Sequence, residues 1–289
     1  MTWNERKALI KNTFVEFLQE KSMMHAAALA YFSMLALVPI LYLAVTYVGR
    51  FLGEQEVLTM VGQMLRENVG LKDPSGILDF LGKVNFLKGS PLLESVGFIA
   101  LLFSCSVIFN SLKESINEFY GIDKSQIARK KKVIRSVTSR FISMVFILGL
   151  TLFFILLYFA EPVFLSMGHW LFSGVELLDT LFSKLARHGL PIVTNMLIFS
   201  FIFKYLHDGT VKWRNAIRGG LVTSILLYLG QLLIKFYLTN FFFGSGGGVA
   251  GAMLIILVWV YYSSQIIFFG AKYVAVLSRM RNCEITFRD

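Results

Sequence analysis

Charge is what this sequence has least of. Only 16% of its 289 residues are Asp, Glu, Lys or Arg, against about 25% in an ordinary globular chain. Apolar residues make up 56%, Phe alone occurs 28 times, and mean hydropathy is +0.65. So few charges cannot cover a water-soluble surface, and so apolar a chain is not an intrinsically disordered one. Cysteine occurs only twice, as Cys105 inside an apolar run and Cys283 near the C-terminus. That excludes a disulfide framework, and each is read as an inert thiol. The four histidines (His25, His169, His188 and His207) are scattered and form no metal-binding spacing such as H-E-x-x-H. Neither G-x-x-x-x-G-K-[ST] nor G-x-S-x-G occurs, which argues against ATP-driven transport by this chain alone and against a serine nucleophile elbow. No enzyme, cofactor or metal is expected.

What the chain has instead is long apolar runs. A membrane-crossing helix needs roughly 20 mostly apolar residues. Six stretches qualify, at about Ala26–Arg50, Leu92–Ser111, Phe141–Ala160, Pro191–Leu206, Ala216–Asn240 and Val249–Lys272. The first is too long for a signal-peptide core and runs on without a clear cleavage signal, so it is read as retained. The expected fold is therefore all-α: a polytopic membrane protein with six transmembrane helices.

The formal net charge of +10 then takes on a meaning. In a soluble chain it would suggest nucleic acid. Sorted by connection, 20 of the 28 basic residues fall on one side of the expected bilayer and 7 on the other, with Lys235 inside the fifth span. The positive-inside rule places both termini in the cytosol. The run Arg129-Lys130-Lys131-Lys132 belongs to that side and sets topology or attracts anionic lipid. Nucleic acid is not expected as a partner, because no interleaved aromatics or recognition helix accompany the basic residues.

The pieces between the spans have patterns of their own. Within 1–25, Ile10, Phe14, Phe17 and Leu18 form one apolar helical face, which predicts a cytosolic amphipathic helix lying in the membrane interface. The membrane domain proper is expected over 26–280, with a basic cytosolic loop at about 112–140 and a cytosolic tail at 281–289. The external connection at about 51–91 has two apolar faces, Val57, Met60, Val61, Met64 and Leu65, then Ile77, Leu81, Val84 and Leu87. Asp73-Pro74-Ser75-Gly76 between them is turn chemistry, so two short helices are expected there. In 161–190 the apolar set Leu177, Leu178, Leu181, Phe182 and Leu185 suits an interfacial or re-entrant helix.

Polar groups at membrane depth are costly and raise a functional question by default. Ser106, Asn110, Glu114 and Asn117 share one helical face, suited to a headgroup or ion or to hydrogen bonds with neighbouring helices. Gln231 and Lys235 lie one turn apart near the outer end of the fifth span, where Lys235 snorkels or meets a substrate. Asn195 and Gln265 are expected to bond between helices. Pro39 should interrupt, and kink, the first span. Gly246, Gly248 and Gly251 fit G-x-G-x-x-G, but no strand precedes them and the match is accidental. Gly247 and Gly251 instead form a small-xxx-small pair suited to close helix packing.

Several of these stretches resemble a known family. Ala27-Ala28-Leu29-Ala30-Tyr31-Phe32-Ser33 followed by Pro39, Asn117-Glu118-Phe119-Tyr120, and Tyr205 with Val211-Lys212-Trp213 and Gly219-Gly220 are similar to segments of the YihY/BrkB family of bacterial inner-membrane proteins. Val258-Trp259-Val260-Tyr261-Tyr262-Ser263-Ser264-Gln265, continuing into Phe269-Gly270-Ala271, is the most specific part. Two places depart from the family pattern. Lys272 stands where an acidic residue is common, and His207-Asp208-Gly209 stands near a common Pro.

The resemblance implies a six-helix protein of the bacterial inner membrane and of cell-envelope biology, but no established reaction. Some members have carried a ribonuclease BN label. Phosphodiester hydrolysis would want clustered His/Asp metal ligands, and the sequence has none. The leading expectation is a non-enzymatic protein that moves or handles a lipid or other amphiphile, with membrane lipids as its partners. The alternative is a structural adaptor whose external helices 51–91 dock an envelope protein.

Overall fold

The computed structural model describes residues 3–43, 49–66, 74–84, 91–122, 149, 163–164, 166–168, 171, 176–240, 248–283 and 285–286. Among them, nine helices follow one another: α1 Trp3–Gln19, α2 Ser22–Leu43, α3 Gly49–Leu52, α4 Glu54–Met64, α5 Ser75–Val84, α6 Pro91–Phe119, α7 Glu176–Tyr205, α8 Trp213–Asn240 and α9 Gly248–Met280. An apolar chain in lipid must satisfy its backbone polar groups within the segment, and the helix does that.

Among the described residues, five helices are long and apolar enough to cross a membrane: Ser22–Leu41, Ser95–Phe119, Thr180–Tyr205, Trp213–Tyr237 and Met253–Met280. The sixth expected span, Phe141–Ala160, lies outside the described residues apart from Gly149. The fourth expected span needs correction. The apolar set around Leu181 and Leu185 is not a separate interfacial or re-entrant piece. It belongs to α7, a helix of 30 residues that runs through Pro191. A proline costs a membrane helix one backbone bond, which neighbouring groups can re-satisfy, so it need not start a new element. In the same way α2 continues through Pro39 from Ser22 to Leu43.

The chain divides into two compact units, one of residues 1–20, 113–228 and 267–289, the other of residues 21–112 and 229–266. The second unit is held by an aliphatic cluster. Val57 of α4, Ile77 and Leu81 of α5, and Ile255 and Ile256 of α9 are buried together, with Met34, Leu37 and Val61 against them. These are the inward faces that the three- and four-residue spacing of 51–91 marks out. Met60 and Met64, assigned by spacing to the same face, are exposed instead.

In the first unit, small residues let helices approach closely. A Cβ added at Gly220 of α8 would stand 2.6 Å from the Met196 carbonyl oxygen of α7, and one at Gly270 of α9 would overlap the Thr223 side chain of α8. With no side chain in the way, backbones come into direct contact, which is how helices associate where lipid removes the hydrophobic drive. Phe119, Phe203 and Phe268 are fully buried in this unit. Gly251, expected at a close crossing, has nothing within 4 Å of an added Cβ among the described residues, and Gly247 lies outside them.

α1 has two faces. Leu9 and Thr13 are buried, Leu9 against Val276, Leu277 and Tyr273 of α9. Trp3, Ile10, Phe14 and Leu18 point away from that contact and are exposed. Phe17 sits at the edge between the faces, its ring edge-on to Phe269 at 5.5 Å.

Candidate functional site

The ends of α6 and α9 in the first unit close in the same way. At α6, Ile122 N–H donates to the Asn117 carbonyl and Gly121 N–H to that of Glu118, with Gly121 at φ 68°. At α9, Cys283 N–H donates to the Ser278 carbonyl and Asn282 N–H to that of Arg279, with Asn282 at φ 50°. Both are Schellman caps: the residue after the cap turns left-handed so that the last carbonyls find donors. Glycine and asparagine are the residues that tolerate this conformation most readily.

Between these caps lies the connection from α7 to α8, fixed by polar side chains. Asn117 Nδ2 donates to Asp208 Oδ2 at 3.0 Å, and Asp208 N–H donates back to Asn117 Oδ1 at 2.9 Å. Lys113 Nζ lies 2.9 Å from Asp208 Oδ1. Gly209 N–H donates to His207 Nδ1 at 2.9 Å while His207 Nε2 meets the Phe203 carbonyl at 2.8 Å. One nitrogen accepting and the other donating assigns a neutral imidazole with its proton on Nε2. The Tyr120 hydroxyl donates to the same Phe203 carbonyl at 3.3 Å, and its burial raises the phenol well above its ordinary pKa. The turn uses the N–H groups of Asp208 and Gly209, which a proline at either position would lack.

Beside this frame, a cavity of about 470 Å³ opens in the first unit. Its charged lining is Glu16 and Glu20 of α1 with Lys272 and Arg279 of α9, and Phe119, Ala275 and Ile285 contribute apolar surface. Lys272 is 5% exposed. Its ammonium is held by Glu20 Oε1, by Glu16 Oε2 at 3.2 Å and by the Phe119 carbonyl at 3.4 Å. Arg279 donates to Glu16 Oε2 from a half-exposed position. Burial of Glu16 raises its pKa, but the hydrogen bonds and charges of Arg279 and Lys272 outweigh that and leave its carboxyl below the ordinary value. Glu20 Oε2 is buried and accepts no hydrogen bond among the described residues.

The residues singled out by sequence fare differently. Asn117 is buried in the turn frame. Asn110 and Gln265 are part-buried, and Gln265 Nε2 is a buried donor without an acceptor among the described residues. Glu114, Gln231 and Lys235 are exposed. The structure brings none of Asn110, Glu114, Gln231, Lys235 or Gln265 into the cavity. Sequence reasoning noted Lys272 as a departure and missed Glu16 and Glu20, its partners. One signal was available. Two carboxylates at i, i+4 on α1 match two cations at i, i+7 on the last helix, and a lysine inside an apolar helix calls for an acid.

Among the described residues no three His, Cys, Asp or Glu side chains gather as a metal site would need. A family model described as Virulence factor BrkB matches residues 13–288. The UPF0761 membrane protein of Psychromonas ingrahamii is 23% identical over 275 residues, covering 90% of this chain and 84% of that one. That of Mannheimia succiniciproducens is 23% identical over 283 residues, covering 95% and 91%. The Stenotrophomonas maltophilia relative is longer: 24% identity over 226 residues covers 78% of this chain and 50% of it. No solved structure matches.

Proposed function

The chain belongs to the BrkB family of membrane proteins, and from that premise we propose that it moves or handles a lipid or other amphiphile across the bacterial inner membrane, without an ATPase of its own. One observation carries the reading. The cavity at the end of α6 and α9 is lined by charged and by apolar side chains in one space of about 470 Å³, within the range of small-molecule sites. An amphiphile pairs the same two chemistries. Lys204, Lys212, Arg214 and Arg281 cluster at the ends of α7, α8 and α9 beside the cavity, so by the positive-inside rule we read this as the cytosolic end, with both termini there. The apolar length of the sequence over Phe141–Ala160 supports a sixth span, and the exposed Trp3, Ile10, Phe14 and Leu18 support α1 lying on the interface.

Liposomes containing the purified protein test this. Labelled lipid should cross the bilayer faster than in empty vesicles, and flux equal to empty vesicles across several lipids would sink the reading. A second reading, an adaptor for an envelope protein, draws on the exposed Phe51, Met60 and Met64 of α3 and α4. Crosslinking followed by co-purification separates the two, because a transporter need not retain a stoichiometric partner.

A further inference from the structure

The first helix sorts its charges, and the sorting specifies a surface. Glu5, Leu9, Thr13, Glu16 and Glu20 follow at steps of four, four, three and four, so they share one face. That face is packed on α9: Leu9 lies against Tyr273, Val276 and Leu277, Glu16 pairs with Lys272 and Arg279, and Glu20 pairs with Lys272. Glu5, Glu16 and Glu20 are all the acids of residues 1–20. On the other side, Trp3, Lys7, Ile10, Phe14 and Leu18 follow at steps of four, three, four and four, with Lys11 one turn beyond Lys7. All six are exposed. The Lys7 ammonium stands 5.2 Å from the Trp3 ring centroid, which keeps a cation beside an exposed aromatic ring.

The depth of α1 suits a bilayer surface. Phe269, Tyr273, Val276 and Leu277, its apolar contacts on α9, belong to the last turns of a candidate span that ends at Met280. A helix packed against the end of a span lies at headgroup level. There the lysine stems cover apolar surface while their ammonium groups reach phosphate. A neutral bilayer would need only the apolar residues. With every acid turned to the α9 side, where Lys272 and Arg279 answer Glu16 and Glu20, the face turned away carries charge of one sign. Its complement is an anionic surface. We propose that α1 docks on anionic phospholipid of the cytosolic leaflet, with Lys7 and Lys11 at headgroup phosphates and Trp3, Ile10, Phe14 and Leu18 at the acyl boundary. This rests on the interfacial placement of α1 read above and adds the charge class of the lipid.

Hydrogen exchange of the full chain in nanodiscs tests the idea, because it reads α1 separately from every other basic segment. The probes are phosphatidylcholine discs with and without phosphatidylglycerol. Each cation at an anionic surface shifts the balance about fivefold, so the amides of residues 3–19 should exchange about tenfold more slowly, or slower still, in the anionic discs. High salt should remove the difference. Lys7→Gln combined with Lys11→Gln should remove most of it, and Lys7→Glu combined with Lys11→Glu should reverse its sign. Both positions are exposed, so the fold does not depend on them. Equal exchange in the two kinds of disc overturns the proposal, and so does a difference that survives the double glutamine variant at full size. Phe14→Asp separates this from the reading beneath it. If equal exchange is sped by Phe14→Asp in both discs, α1 stays on the interface and only its charge preference falls. If Phe14→Asp speeds exchange in neither, the interfacial placement falls as well.

Discussion

The two units are held by different chemistry. In residues 21–112 and 229–266 the described core is aliphatic, built from Val57, Ile77, Leu81, Ile255 and Ile256. In the other unit, Asn117, Lys113 and Asp208 fix a turn, and Glu16 and Glu20 hold a buried lysine. Aliphatic contacts are tolerant: a side chain of similar volume can replace another at modest cost. A buried charge is not, because removing one partner strands the other. The units should therefore answer mutation differently.

The largest effect is expected at Lys272. Lys272→Ala leaves Glu16 and Glu20 facing each other without their common cation and should cost toward the lower end of about 3–5 kcal/mol, since both carboxylates keep some access to solvent. Thermal unfolding in detergent measures it. Leu81→Ala in the aliphatic cluster should cost less, near the bottom of about 2–5 kcal/mol for such a truncation. A larger loss at Leu81 than at Lys272, by the same measurement, would break the comparison.

A finer test uses pH. The Glu16 carboxyl is lowered by Arg279 and Lys272, so its contribution is fully present above the ordinary carboxylate pKa and is lost as pH falls through the lowered value. Arg279→Gln takes away one of the groups that lowers it, so the acid limb of Tm against pH should be smaller and should level off at a higher pH than in the unaltered chain. An unmoved acid limb would mean that Glu16 does not govern it. The smallest effect is expected at Lys235, which is exposed: Lys235→Gln should stay within about 0.5 kcal/mol and leave lipid flux unchanged. A lost flux there would return the functional residues to the C-terminal end of α8.

The same contrast explains how much could be read before folding. Long apolar runs locate helices because a bilayer imposes their length. The three- and four-residue spacing around Val57 and Ile77 gives the inward faces because neighbours on a helix are close in sequence. The start at Pro191 fails for a local reason: membrane helices tolerate proline, and α7 runs on through it from Glu176. The cavity could not be read from such spacing. Asn117 and Asp208 are 91 positions apart, Lys272 and Glu20 are 252 apart, and Arg279 and Glu16 are 263 apart. Spacing along a helix carries no information at that separation. Glu16 and Glu20 look, on the sequence, like the solvated side of an amphipathic helix.

The separation also bears on biosynthesis. Glu20 leaves the ribosome 252 residues before Lys272. Until the final helix is made, the two carboxylates of α1 have no cation from α9. A chain that stops short of residue 272 keeps four of the five candidate spans whole and loses the charge that completes the cavity. The Lys272 cluster thus forms late: the site exists only once α1 and α9 have both been made.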